Sequence, residues 1–141
     1  KNLPEIAMAH GIPYVATASV AYLRDLEEKV SRAMTVRGAR YIHVLVPCPL
    51  GWGAAPHDTI KLARLAVETG LFPLFEAHDG KVTARTPIRR KVPVDEYLKL
   101  QKRFAHLFVN AAARERVAAI QEIADRNVAE FDLMPEDTAL G

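Results

Sequence analysis

The stretch YIHVLV, Tyr41 to Val46, decides the fold class, and the PCPLGWG that follows it, Pro47 to Gly53, raises the question of function. A short, nearly continuous apolar run of this kind fits a strand buried on both faces, as in a parallel sheet. The run ends on Cys48, the only cysteine of the chain, held between Pro47 and Pro49. Prolines on both sides fix the local backbone and remove two amide donors, so the thiol sits on a stiff turn. That placement suits a metal ligand or a nucleophile, and it equally suits a small core residue.

Working upstream, IPYVATAS (Ile12 to Ser19) alternates β-branched and small residues and reads as a strand. Between the two strands, Leu23, Leu26, Val30 and Met34 mark one face of a helix over Ala21 to Val36, with Gly38 after its end. Asn2 and Glu5 resemble a capping box, Pro4 falls in the first turn and Gly11 is a natural terminator, which predicts a helix from Leu3 to His10. Downstream, Asp58 can cap a helix that runs through Ile60, Ala63, Val67 and Thr69 to Gly70. LFPLFEA then reads as an edge strand, because Pro73 cannot donate to a central ladder. Asp79-Gly80 turns the chain into KVTARTPI as a hairpin. Beyond Pro93 the pattern is helical, with Tyr97, Leu100, Phe104 and Phe108 as one stripe and Val117, Ile120, Ile123 and Val128 as another. The terminal MPEDTALG reads as a frayed tail or a partner-binding arm.

Strands alternating with helices predict an α/β fold with a mostly parallel sheet, followed by a β-extension and two helices. Two central strands make an incomplete sheet, since about five strands are usual. The chain opens on Lys rather than Met, and the economical expectation is a piece of a longer polypeptide.

Composition sets the outer limits. At 141 residues the chain is one domain's worth, and 50% hydrophobic with 26% charged residues is ordinary for a globular protein. Nineteen basic against 17 acidic residues leave a net +2, which gives no nucleic-acid footprint. Arg89, Arg90 and Lys91 read as a solvated loop. No run approaches the roughly 18 apolar residues of a membrane span, and the polar start KNLPE is no signal peptide. One cysteine excludes an internal disulfide framework and fits a reducing compartment, so a cytoplasmic protein is expected.

Chemical candidates are sparse. The histidines at 10, 43, 57, 78 and 106 never fall at a helical metal-binding spacing. Asp25, Glu27 and Glu28 share a helix with Arg24, Lys29 and Arg32, which reads as a solvated face of i,i+4 pairs. There is no Gly-rich phosphate loop, no G-x-S-x-G and no HExxH. Trp52 can pack on the cysteine turn or on a partner.

Three blocks in order, HGIPYVATAS, YIHVLVPCPLGWG and HDTIKLARLAVETGLFPLFE, resemble the C-terminal half of a β subunit of the thiamine-diphosphate-dependent 2-oxoacid:ferredoxin oxidoreductases, most of all pyruvate synthase. The resemblance is clear from residue 2 to about 77 and looser through PVDEYLKLQKRFAHL to the end. It implies that residues 1–77 are the C-terminal portion of a thiamine-diphosphate-binding α/β domain, and 78–141 a β-extension with helices that make subunit contacts. In that family a cysteine in the segment matching APCPxGW is the fourth ligand of the [4Fe-4S] cluster nearest thiamine. That position is Cys48 here. The family's other three cluster cysteines, with their CxxC pair, and the GDG…N motif for magnesium and diphosphate have no counterpart in this sequence.

The resemblance thus implies one subunit of a multisubunit enzyme, inactive alone. Its cofactors would be thiamine diphosphate, Mg2+ and a [4Fe-4S] cluster; its partners α-, γ- and δ-type subunits, ferredoxin or a similar acceptor, a 2-oxoacid and coenzyme A. Pyruvate is the implied substrate, with an aryl 2-oxoacid such as phenylglyoxylate or a branched-chain one as the alternative within the class. No catalytic acid or base is implied among these residues. A non-catalytic interaction module with an unligated Cys48 is the rival reading.

Overall fold

The computed structural model describes residues 2–134; the expected tail or arm at the C-terminus falls largely outside them. Element order is α1 (Leu3–Ala9), β1 (Tyr14–Ser19), α2 (Leu23–Thr35), β2 (Arg40–Leu45), α3 (Pro49–Trp52), a 3-10 turn (Pro56–Asp58), α4 (Thr59–Glu68), β3 (Phe75–His78), β4 (Lys81–Arg85), α5 (Val94–Lys99), a 3-10 stretch (Lys102–Phe108) and α6 (Ala111–Glu130). The chain divides into two compact units, one of residues 1–46 and 74–86, the other of 47–73 and 87–141.

The first unit is a four-stranded sheet of order β2-β1-β3-β4 with α1 and α2. The α/β class holds, and β1 and β2 pair parallel from Tyr14–Arg40 to Ser19–Leu45. The rest of the sheet is antiparallel, β3 running against both β1 and β4, so it is mixed rather than mostly parallel. The β3–β4 part of this follows from the hairpin: Asp79 (φ 47°) and Gly80 (φ 76°) both adopt the left-handed region that a tight two-residue turn demands.

Three strand expectations change place. YIHVLV is the edge strand β2, half-exposed along its length. The strand buried throughout is β1, whose small residues let helices lie close. LFPLFEA supplies an inner strand, because Pro73 precedes Phe75 and leaves the ladder of β3 intact.

Helix α2 is turned about a quarter-turn away from its apolar stripe, of which Leu26 is half-buried. Leu23, Val30 and Met34 are exposed, and the residues it buries are Lys29 and Ala33. Ala33 packs with Tyr14 and Ala16, flanked by Val36 and Ile42. The inward polar side chains are tolerated because the sheet supplies their partners, as the next subsection shows. Asn2 caps α1 by accepting from the Glu5 amide, as the sequence indicates.

The second unit is helical. Its α4 buries Leu62, Ala63, Leu65, Ala66 and Val67, while Ile60 is exposed and Asp58 makes no side-chain cap. The preceding 3-10 turn places Asp58 at φ −88°, ψ −1°, which turns it out of capping geometry. The expected stripe from Tyr97 to Phe108 is not one helix. The chain leaves α5 at Leu100, passes through the extended Gln101 and resumes as a 3-10 stretch. Helix α6 starts at an Asn110 cap, whose side chain accepts from the Ala113 amide at 2.8 Å. It buries Ala113 and Ala124, and Ile123 of its predicted stripe is exposed. Asn127 fastens α6 by donating to the Gly70 carbonyl at 2.9 Å.

Candidate functional site

Cys48 is the N-cap of α3, a single turn that Pro49 opens with its preset φ. The Gly51 amide donates to Cys48 Sγ at 3.4 Å, and the Trp52 amide donates to the Cys48 carbonyl at 2.9 Å. Gly53 ends the turn at φ 63°, a conformation that favours glycine. The thiol is exposed and in no disulfide. It is therefore not a core residue, and that alternative falls.

Val46 and Leu50, two residues to either side of Cys48, are 59% and 96% exposed and do not shield the sulfur. Trp52 is half-buried, and the Arg103 guanidinium lies 4.0 Å from its ring centroid. Arg103 in turn donates from Nε to Gln101 Oε1 at 2.9 Å, and the buried Gln101 donates to the Tyr97 carbonyl at 2.8 Å. Burial raises the Tyr97 hydroxyl above its usual range, against the opposing pull of Arg103 and Gln101.

Among the described residues no three His, Cys, Asp or Glu side chains gather into a metal site. The histidines stay scattered. What Cys48 offers is one sulfur donor on a braced, outward-facing turn. This donor set fits a cluster that takes its other thiolates from elsewhere, and it does not fit a complete site within these residues.

A second polar constellation went unread in the sequence. Lys29 is buried, with Nζ 2.7 Å from Asp25 Oδ2 and 2.9 Å from the Thr17 carbonyl. Thr86 donates to Asp25 Oδ1 at 2.8 Å. Arg32 binds Glu76 through Nε and Nη2, and the Tyr14 hydroxyl donates to Glu76 Oε2 at 2.7 Å. Burial lowers the Lys29 ammonium below its usual range, against the pull of Asp25. Of the expected solvated pairs, Arg24–Glu28 and Arg32–Glu28 are exposed, and Lys29–Asp25 is not. The legible signal is the i,i+4 spacing of Asp25, Lys29 and Ala33, a row that flanks the apolar stripe. These groups tie α2 to the sheet and saturate one another, so they are a structural network.

No family model matches the chain. It is 46% identical over 133 residues to pyruvate synthase subunit PorB of Methanosarcina barkeri, a match covering 94% of this chain and 45% of the relative. It is 52% identical over 127 residues to pyruvate synthase subunit PorB of Methanothermobacter marburgensis, covering 89% and 42%. Ketoisovalerate oxidoreductase subunit VorB of Pyrococcus horikoshii is 43% identical over 124 residues, covering 86% and 38%. The chain thus spans less than half the length of these curated relatives.

Proposed function

The chain belongs to the β-subunit family of the 2-oxoacid:ferredoxin oxidoreductases, and from that premise we propose that it contributes one cluster ligand, Cys48, to a multisubunit enzyme that oxidatively decarboxylates a 2-oxoacid to acyl-CoA and CO2. The observation that carries this reading is the exposed sulfur on the proline-braced turn, with a backbone amide directed at it. In that enzyme residues 1–77 form part of the thiamine-diphosphate-binding domain and 78–141 contact α-, γ- or δ-type subunits. When bound, thiamine diphosphate with Mg2+ would supply the electron sink for decarboxylation, and a [4Fe-4S] cluster held in part by Cys48 would pass electrons singly toward ferredoxin or a similar acceptor.

The chain's own residues have a narrower task. Pro47 and Pro49 limit the motion of the Cys48 backbone, so little entropy is lost when its sulfur is ligated. The Gly51 amide supplies a hydrogen bond to that sulfur, one of the levers that set a cluster's potential. No described residue of this chain is assigned an acid or base role.

Pyruvate is the substrate favoured here, because relatives named pyruvate synthase match this chain at up to 52% identity. The relative named ketoisovalerate oxidoreductase supports a branched-chain 2-oxoacid as second reading. Comparing kcat/KM for pyruvate and 2-oxoisovalerate in the assembled enzyme separates the two. The ligand assignment is tested by Cys48→Ala in that complex. One cluster is lost or converted, and reduction of the remaining clusters by substrate slows. Full iron content with wild-type turnover overturns the assignment. A colourless wild-type monomer, with no co-purifying subunits, favours the interaction module instead.

A further inference from the structure

The geometry points to Arg103 as a positioning residue for the Cys48 turn, an inference that rests on Cys48 being a cluster ligand. Two connections join the 3-10 stretch to that turn. The Lys102 amide donates to the Gly53 carbonyl at 3.2 Å, and the next residue lays its guanidinium over Trp52, 4.0 Å from the ring centroid and 4.7 Å from that of Phe104. Trp52 and Gly53 are the last residue and the cap of the helical turn whose first cap is Cys48.

Arg103 is exposed, but its guanidinium is tethered. Its Nε is held by Gln101 Oε1, and Gln101 is buried to 1% exposure with its amide nitrogen committed to the Tyr97 carbonyl. A planar guanidinium stacked on an aromatic face is a contact that the compact ammonium of lysine reproduces only in part. The chain is continuous: α5 fixes Gln101, Gln101 fixes Arg103, Arg103 fixes Trp52, and the Trp52 amide closes on the Cys48 carbonyl at 2.9 Å. The brace thereby sets where Cys48 Sγ sits against the Gly51 amide. A cation held on that turn also favours the more negative, reduced state of a group bound to the sulfur.

The test uses the assembled enzyme, with Arg103→Ala, Arg103→Lys, Trp52→Leu and the Arg103→Ala/Trp52→Leu pair beside Cys48→Ala. Readouts are iron content, the electron paramagnetic resonance spectrum and midpoint potential of the reduced cluster, and its rate of loss in air. Arg103→Ala should lower the midpoint potential, alter the spectrum and speed cluster loss about threefold to fivefold, the effect of one cation–π contact. Arg103→Lys should fall between it and the wild type, and the paired variant should be no worse than the more severe single one, since both break the same contact; additive effects overturn the brace. If Arg103→Ala matches the wild type in potential, spectrum and loss rate while Cys48→Ala removes the cluster, the brace is wrong and the ligand reading stands. If Arg103→Ala fails to assemble, a wild-type spectrum and loss rate in Arg103→Lys overturns the brace. Full iron in Cys48→Ala overturns the ligand reading and the brace with it.

Discussion

Arg32 grips Glu76 at two points, its Nε and Nη2 each lying 2.7 Å from a different carboxylate oxygen. A bidentate pair of this kind is stronger and more directional than a single contact. It is also only half-sheltered, because Arg32 is 48% exposed and water screens the pair. The Tyr14 hydroxyl on the buried side of the same carboxylate gives Glu76 its third contact. The consequence is a sheet whose inner strand β3 is tied to α2 by charge rather than by apolar packing.

That arrangement predicts an acid limb of stability. Burial works against the charge on Glu76, but the hydrogen bonds from Arg32 and Tyr14 outweigh it and hold the carboxyl below its ordinary 4.5. A folded pKa below the unfolded one means the contribution is complete above about pH 4.5 and is lost as pH falls through the folded value. Glu76→Gln should flatten the fall in unfolding midpoint between about pH 5 and 3, and cost roughly 1–3 kcal/mol at neutral pH. Some slope will persist from Asp125, whose carboxyl Lys91 and Gln121 hold low. Denaturant unfolding across that range checks it; a variant as acid-sensitive as the wild type refutes it.

An alkaline limb follows from Tyr14. Burial, reinforced by the contact with Glu76, raises its hydroxyl well above the ordinary 10.0. Its contribution is therefore whole below about pH 10 and lost as pH rises beyond it. Lys29 acts in the opposite sense there, since its lowered pKa makes stability grow as pH approaches 10.5. Tyr14→Phe should cost about 1 kcal/mol at neutral pH and lessen the loss above pH 10, the rest coming from Tyr97, whose hydroxyl burial also raises. A loss unchanged in the phenylalanine variant would assign it to other groups.

The outward face of α2 makes a third prediction. Leu23 and Met34 are 69% and 73% exposed, so polar substitution there removes no packing. Leu23→Lys/Met34→Lys should leave the unfolding midpoint within about 0.5 kcal/mol and slow heat-induced turbidity. A fall of several kcal/mol would mean the stripe is buried after all.

How much of this was legible follows from what local chemistry controls. The hairpin at Asp79-Gly80, the Asn2 cap and the parallel pairing of β1 with β2 were readable, because turn and cap residues act on their own backbone. The orientation of α2 was not, because periodicity ranks faces by hydropathy. The face turned inward was chosen by distant partners, Glu76 and Thr17. The role of β2 was misjudged for a related reason: an apolar run reports strand propensity but not whether a neighbour covers it. At Cys48 the two prolines announced a stiff turn, whereas its support by Gln101 and Arg103 depends on a break after α5 that no pattern marks.

The tightest prediction concerns Gly53. Its φ of 63° places it in the left-handed region, and a Cβ built there would lie 2.7 Å from Lys102 Cβ. Two separate penalties follow for Gly53→Ala: roughly 1–2 kcal/mol for the backbone conformation, and a contact that neither Cβ can avoid by changing rotamer. Lys102→Gly removes the second penalty and leaves the first. The cost of Gly53→Ala should therefore shrink, but not vanish, when it is measured in the Lys102→Gly background. Gly51 is the internal control. A Cβ there meets Cys48 Sγ at 3.4 Å, an ordinary contact, and its φ is not positive. Gly51→Ala should fold close to wild type. The measurement is a double-mutant cycle in unfolding free energy. Additive effects of the Gly53 and Lys102 substitutions, or a Gly51→Ala penalty as large as that of Gly53→Ala, would show that the turn does not rest on the 3-10 stretch in this way.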